Sequence, residues 1–70
     1  MDKFPHLGRS IQAAQKKSGI TSSELARQLG VSRQNFQHLR SQRDIYTSRT
    51  LALLRVFDME LNEFIELGEQ

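Results

Sequence analysis

Thr21-Ser22-Ser23-Glu24-Leu25-Ala26-Arg27-Gln28-Leu29-Gly30-Val31-Ser32-Arg33-Gln34-Asn35-Phe36-Gln37-His38-Leu39-Arg40 is the stretch that decides the fold. Thr21 followed three residues later by Glu24 reads as a capping box. The Thr21 hydroxyl accepts from the Glu24 N–H, and the Glu24 carboxylate reaches back to the Thr21 N–H. Ile20 and Leu25 flank that cap at the spacing of a hydrophobic staple. The helix it starts buries Leu25, Ala26 and Leu29 and ends at Gly30, because only glycine takes a left-handed turn cheaply. Ser32 then caps a second helix from Arg33 to about Ser41, with Val31 and Phe36 repeating the staple and Phe36 and Leu39 facing inward. Ala26 is small enough to let the second helix cross close to the first.

Two short helices joined by a three-residue turn that opens on glycine form a helix-turn-helix. Its second helix turns Arg33, Gln34, Gln37 and His38 outward, and partly Asn35 and Arg40. That face is entirely hydrogen-bonding and carries no acid. Arginine bonds guanine O6 and N7 together, and glutamine or asparagine pairs with adenine N6 and N7. The amides at the start of the helix suit phosphate. The pattern therefore predicts readout of double-stranded DNA through the major groove. The plainer reading is three-helix packing with a solvated polar face. For His38 both a base or backbone contact and a partly packed surface histidine remain open.

The elements on either side read as helices too. Leu7, Ile11 and Ala14 lie on one helical stripe. Helix 1 is predicted from Pro5 to Lys17, with Pro5 in its first turn, Gly8 a weak spot and Gly19 the stop. Residues 42–48 read as a loop. Thr47 or Ser48 is expected to cap a fourth helix that buries Leu51, Leu54 and Phe57. A fifth, from Leu61 to Leu67, presents Leu61, Phe64 and Ile65. The predicted fold is all-α, a compact five-helix bundle with no strand. Ile45 and Tyr46 are apolar in a loop beside the proposed DNA face. Either they cover the bundle or they join Met59 and Phe64 in a dimer contact.

Composition narrows the function classes. Seventy residues fit one domain, spanning 1–70. With no cysteine and only His6 and His38, neither a disulfide framework nor a structural zinc site is expected. No cofactor, metal or small-molecule ligand is called for. Asp, Glu and His do not cluster, and no nucleophile is paired with a base, so no enzyme is expected. Apolar runs such as Leu51-Ala52-Leu53-Leu54 are too short to span a membrane. With no apolar stretch after Lys3, no secretory signal is read, and the expected location is cytoplasmic, at the nucleoid of a bacterial or phage-infected cell. Residues 1–49 carry nine Lys and Arg against three acids, a balance of +6, and residues 50–70 one Arg against five acids, −4. Such a split suits a domain with one face toward a polyanion, or is simply solvated charge.

Residues 19–40, and above all Leu25-Ala26 and Leu29-Gly30-Val31-Ser32, resemble the phage repressor, Cro and XRE family of helix-turn-helix proteins. Residues 53–64 look like that family's fourth and fifth helices. The resemblance implies a lambda-repressor-like five-helix domain binding DNA as a homodimer on a two-fold operator. Occupying an operator blocks polymerase, so repression is the default reading, and contact with polymerase would make it an activator instead. It carries Ser32, Arg33, Gln34, Asn35, Gln37 and His38 onto positions that touch bases or the adjacent backbone. It places Ser22 on a phosphate at the start of helix 2, and Arg43 and Arg49 on phosphate after the recognition helix. For these two arginines, solvated loop charge is the plainer alternative. Two positions depart from the family. The pair linking helix 1 to the end of helix 3 reads as Gln15 and Arg40, which cannot form an ion bridge and leaves Arg40 for phosphate. Gln42 stands where a glycine is common. A second function class keeps the fold but binds protein, as an antitoxin or anti-repressor target, through the 42–49 loop and a groove around Tyr46, Met59 and Phe64.

Overall fold

The computed structural model describes residues 5–69 as five helices and no strand among them. They are α1 (Leu7–Ser18), α2 (Ser22–Leu29), α3 (Arg33–Ser41), α4 (Thr47–Phe57) and α5 (Leu61–Gly68). The reading of Met1 to Phe4 as lacking a secretory signal lies outside the described residues. α1 packs against α5, α3 and α4, and α2 against α3 and α4. Ile11, Ala14, Leu25, Phe36, Leu53 and Phe64 are fully buried, with Ala26, Leu29 and Phe57 beside them. The Phe57 and Phe64 rings lie 6.4 Å apart and join α4 to α5.

The two cap patterns form as read at their N-caps. Thr21 Oγ1 accepts from Glu24 N at 3.1 Å, and Ser32 Oγ accepts from Asn35 N at 3.0 Å. The return half of the capping box does not form. The Glu24 carboxylate instead takes the Arg27 guanidinium and the Gln28 amide. Gly30 closes α2 at φ 74°, with its own N–H on Arg27 O and the Val31 N–H on Ala26 O, a Schellman motif. This turn sets the angle at which α3 leaves α2.

Other expectations are corrected. α1 starts at Leu7 with His6 as its cap, so Pro5 lies before the helix. The His6 Nδ1 accepts from Arg9 N, and two further N-terminal donors find carbonyls beyond the end of α3. Leu7 N–H donates to Arg43 O and Gly8 N–H to Gln42 O, both at 2.8 Å. Gly8 is therefore a contact point and not a weak spot. A Cβ there would lie 2.5 Å from the carbonyl oxygens of both Arg40 and Gln42. α4 starts after Tyr46 without a side-chain cap, so neither Thr47 nor Ser48 serves. Its buried stripe is Thr50, Leu53 and Phe57, while Leu54 is half-buried and Leu51 is 57% exposed. Thr50 can stand in the core because its hydroxyl donates to Tyr46 O. On α5, Phe64 is fully buried and Leu61 is exposed.

Candidate nucleic-acid interface

α3 is amphipathic with one deep anchor. Phe36 is fully buried and Leu39 half-buried, which turns Arg33, Gln34, Asn35, Gln37 and His38 outward as exposed residues. All five expected base-reading residues thus lie on exposed positions of one helix, and none is an acid. Ser32 is exposed at the start of α3. Its hydroxyl takes the Asn35 N–H, and the amides ahead of it, on Arg33 and Gln34, have no acceptor within the helix. Those orphan donors and the helix dipole favour an anion there.

The N-terminus of α2 is built the same way. Thr21 satisfies the N–H groups of Glu24 and Leu25, which leaves those of Ser22 and Ser23 without a partner in the helix. Gln15 Nε2 on α1 donates to Ser22 Oγ at 3.0 Å. An amide nitrogen only donates, so the Ser22 hydroxyl keeps its own hydrogen to give to a phosphate oxygen. Gln15 therefore partners Ser22 and not Arg40, correcting the expected pair. The link from α1 to the end of α3 is made by Gln12, whose Nε2 donates to Arg40 O at 2.8 Å. Sequence reasoning missed Gln12, which on a helical wheel counts only as a surface polar residue, and gave Gln15 the wrong partner.

A groove of about 420 Å³ runs between α3 and the following segment, bringing Asn35 and His38 together with Ile45, Tyr46 and Arg49. Gln42 closes one side, with its Nε2 3.0 Å from His38 Nε2. Asp44 also lines this groove, an acid that weakens its positive field and that the sequence reading passed over. Arg49 is half-buried and Arg43 is exposed. Arg40 is half-buried, and its Nη1, one of five guanidinium donors, gives a hydrogen bond to Gln37 Oε1 at 3.1 Å.

Of the expected dimer residues, Ile45 and Met59 are half-buried and Tyr46 is 81% exposed, but Phe64 has no accessible surface. Phe64 belongs to the core and cannot touch a partner. The reason is its register on α5, which points it at Phe57. The exposed large apolar residues beside the C-terminal part are instead Leu51 and Leu61. Leu51, Leu54 and Met59 share a shallow groove with Arg55, Asp58, Glu60 and Glu63.

Two short helices in a glycine-closed corner, with a polar acid-free second helix outward, define a helix-turn-helix DNA-binding domain. The family model for the Cro/C1-type HTH DNA-binding domain matches residues 11–70, and the chain belongs to that family. No curated protein and no solved structure matches it. Among the described residues, no helix is long and apolar enough to cross a membrane.

Proposed function

We propose that this single domain is a sequence-specific transcriptional regulator that inserts α3 into the major groove of DNA and acts as a repressor on a two-fold operator. The observation that carries the reading is the outer face of α3. Arg33, Gln34, Asn35, Gln37 and His38 stand exposed there on a helix anchored by buried Phe36. These residues read base edges. Ser22, Ser32, Arg43 and Arg49, with the free amides of α2 and α3, hold the phosphates on either side. One such module reaches too few base pairs for tight specific binding. Two copies, with half-sites roughly 34 Å apart, double the site. Leu51, Leu54 and Met59 form the apolar surface best placed to join them, in place of buried Phe64.

Occupying the operator excludes polymerase, and repression follows from that alone. The test is selection of bound duplexes from a random pool, followed by titration of the selected site at several salt concentrations. A two-fold consensus and an affinity that falls steeply with salt are expected. Gln34→Ala changes the consensus, whereas Arg43→Ala weakens binding to all sequences alike and lowers the salt slope by about one. No consensus, or no salt dependence, refutes the reading.

A further inference from the structure

The side of α1 turned away from the core carries a shallow groove with three cations on it. Arg9, Gln12 and Lys16 line it from α1, Arg40 from the end of α3, and Leu67 and Gly68 from the end of α5. No carboxylate lines this groove, although Glu66 and Glu69 flank its α5 wall in sequence. Lys17 is bridged to Glu63, whereas neither Arg9 nor Lys16, both exposed, has a salt bridge among the described residues. Seven residues of helix set these two about 10 Å apart along α1, with Gln12 between them on the same side. The groove also meets the reading surface. Arg40 Nη1 donates to Gln37 Oε1 on the exposed face of α3. Gln12 holds the Arg40 carbonyl, and Gln15, one residue before Lys16, holds Ser22 at the start of α2. α1 thus borders both the last turn of α3 and the phosphate site proposed at Ser22.

We propose that Arg9, Lys16 and Arg40 form a sequence-independent track for the duplex flanking the operator half-site, so that the domain holds DNA beyond the base pairs read by α3. This rests on α3 being the reading helix. Three cations with no acid among them fit a polyanion. Duplex DNA carries one charge per about 1.7 Å of its axis, so two cations about 10 Å apart meet phosphates in any register. Phosphate contacts position a protein without reading sequence, and the flank is therefore free to vary. Flexible Arg and Lys side chains suit such a contact, since neither needs a fixed partner atom. An acidic peptide would match the charge as well. What favours DNA is continuity: Arg40 belongs to this groove and also bonds Gln37 on the outer face of α3.

The experiment compares two duplexes of the selected operator, one ending at the consensus and one extended on each side by about 10 base pairs of unrelated sequence, a full helical turn. The full chain and its variants are titrated on both between about 50 and 200 mM salt. Arg9→Gln with Lys16→Gln is expected to lower the salt slope on the extended duplex by about two, since each phosphate contact adds about 0.9, and to leave the short duplex bound as before. Across that salt range the parent then loses about tenfold more affinity for the extended duplex than the double variant does. Arg9→Lys with Lys16→Arg keeps the parent slope. So does Arg55→Gln, a cation in the acid-lined groove beside α4. Hydroxyl-radical cleavage is expected to show protection past the consensus in the parent and not in Arg9→Gln with Lys16→Gln. Both positions are exposed, and circular dichroism checks that the variants fold. An unchanged slope on the extended duplex, an equal reduction on both duplexes, or the same reduction in Arg55→Gln overturns the proposal. A change in self-association of the double variant without DNA also overturns it, because the groove would then belong to a second copy. If the parent does not bind the short duplex, the reading helix itself is misassigned and the track falls with it.

Discussion

Gly8→Ala tests the seam that fixes α3 against α1. In an ordinary helix interior this change stabilises by about 1 kcal/mol, because alanine is the better helix former. Here the added methyl would sit 2.5 Å from the carbonyl oxygens of Arg40 and Gln42 and 2.9 Å from the Arg40 carbonyl carbon. All three are backbone atoms and cannot swing aside as the tip of a side chain could. Overpacking of this kind costs about 1–3 kcal/mol. Relief requires α1 to draw back, which stretches the bonds from Leu7 N–H to Arg43 O and from Gly8 N–H to Gln42 O. Those two bonds contribute about 0.5–1.5 kcal/mol each.

Set against the propensity gain, the net loss is about 1–5 kcal/mol, centred near 3. A chain of this size is stable by only about 3–10 kcal/mol, so the loss is a large share of the whole. Each kcal/mol moves Tm by roughly 4–8 °C in a domain this small, and the expected fall is on the order of 10–20 °C. Thermal unfolding followed by far-UV circular dichroism measures it, with Lys16→Ala on the exposed side of α1 as a control that moves Tm little. A Tm for Gly8→Ala equal to or above the parent's refutes the seam. It would mean that helix propensity is the only thing acting at residue 8.

Ser32→Ala is expected to cost about 1 kcal/mol through the lost cap on Asn35 N, read as a lower denaturation midpoint with unchanged m. Phe64→Ala is expected to lose about 3–5 kcal/mol, while Tyr46→Ala, at an exposed site, leaves the melting curve where it is. Similar effects from both would return Phe64 to the surface. Leu51→Glu is expected to weaken self-association in sedimentation and operator affinity together, with little change in monomer stability. The Arg27 guanidinium and the Gln28 amide hold the Glu24 carboxyl below its ordinary range. A lowered folded-state pKa adds stability above the unfolded value and gives it up as pH falls through the folded one. The pair lies at the surface within reach of solvent, so Glu24→Gln is expected to flatten the acid limb of the stability curve only slightly.

The helix-turn-helix was legible because its signals are local. A hydroxyl three residues ahead of the amide it accepts, a glycine at the only φ that closes the turn, and apolar positions at helical spacing need nothing from the rest of the chain. The errors fall where a residue's role depends on a distant segment. On α4, leucines at 51 and 54 suggest a stripe, but the neighbours of α4 claim Thr50, Leu53 and Phe57. A buried threonine looks like surface until its hydroxyl is seen on Tyr46 O. Phe64 offers no sequence clue to separate a core aromatic from a docking one, and only Phe57 on α4 decides it. Gly8 reads as a defect because the carbonyls that require it are more than 30 residues away.

The same separation explains why the outer face of α3 was legible as a list but not as a set of orientations. Exposure follows from period, and period is in the sequence. What each exposed side chain can offer depends on what holds its other atoms. Gln37 and Gln34 are identical as residues, yet one lies a turn before a guanidinium and the other does not. That guanidinium is steady because α1 grips the backbone beneath it through Gln12 and Gly8. The close approach of α1 to the end of α3 thus does two things at once. It ties the N-terminal helix into the bundle, and it holds the backbone at the last turn of α3. Gln12→Ala, on α1, is then expected to loosen the end of α3, read as faster amide exchange there, while leaving every residue on the outer face of α3 unchanged.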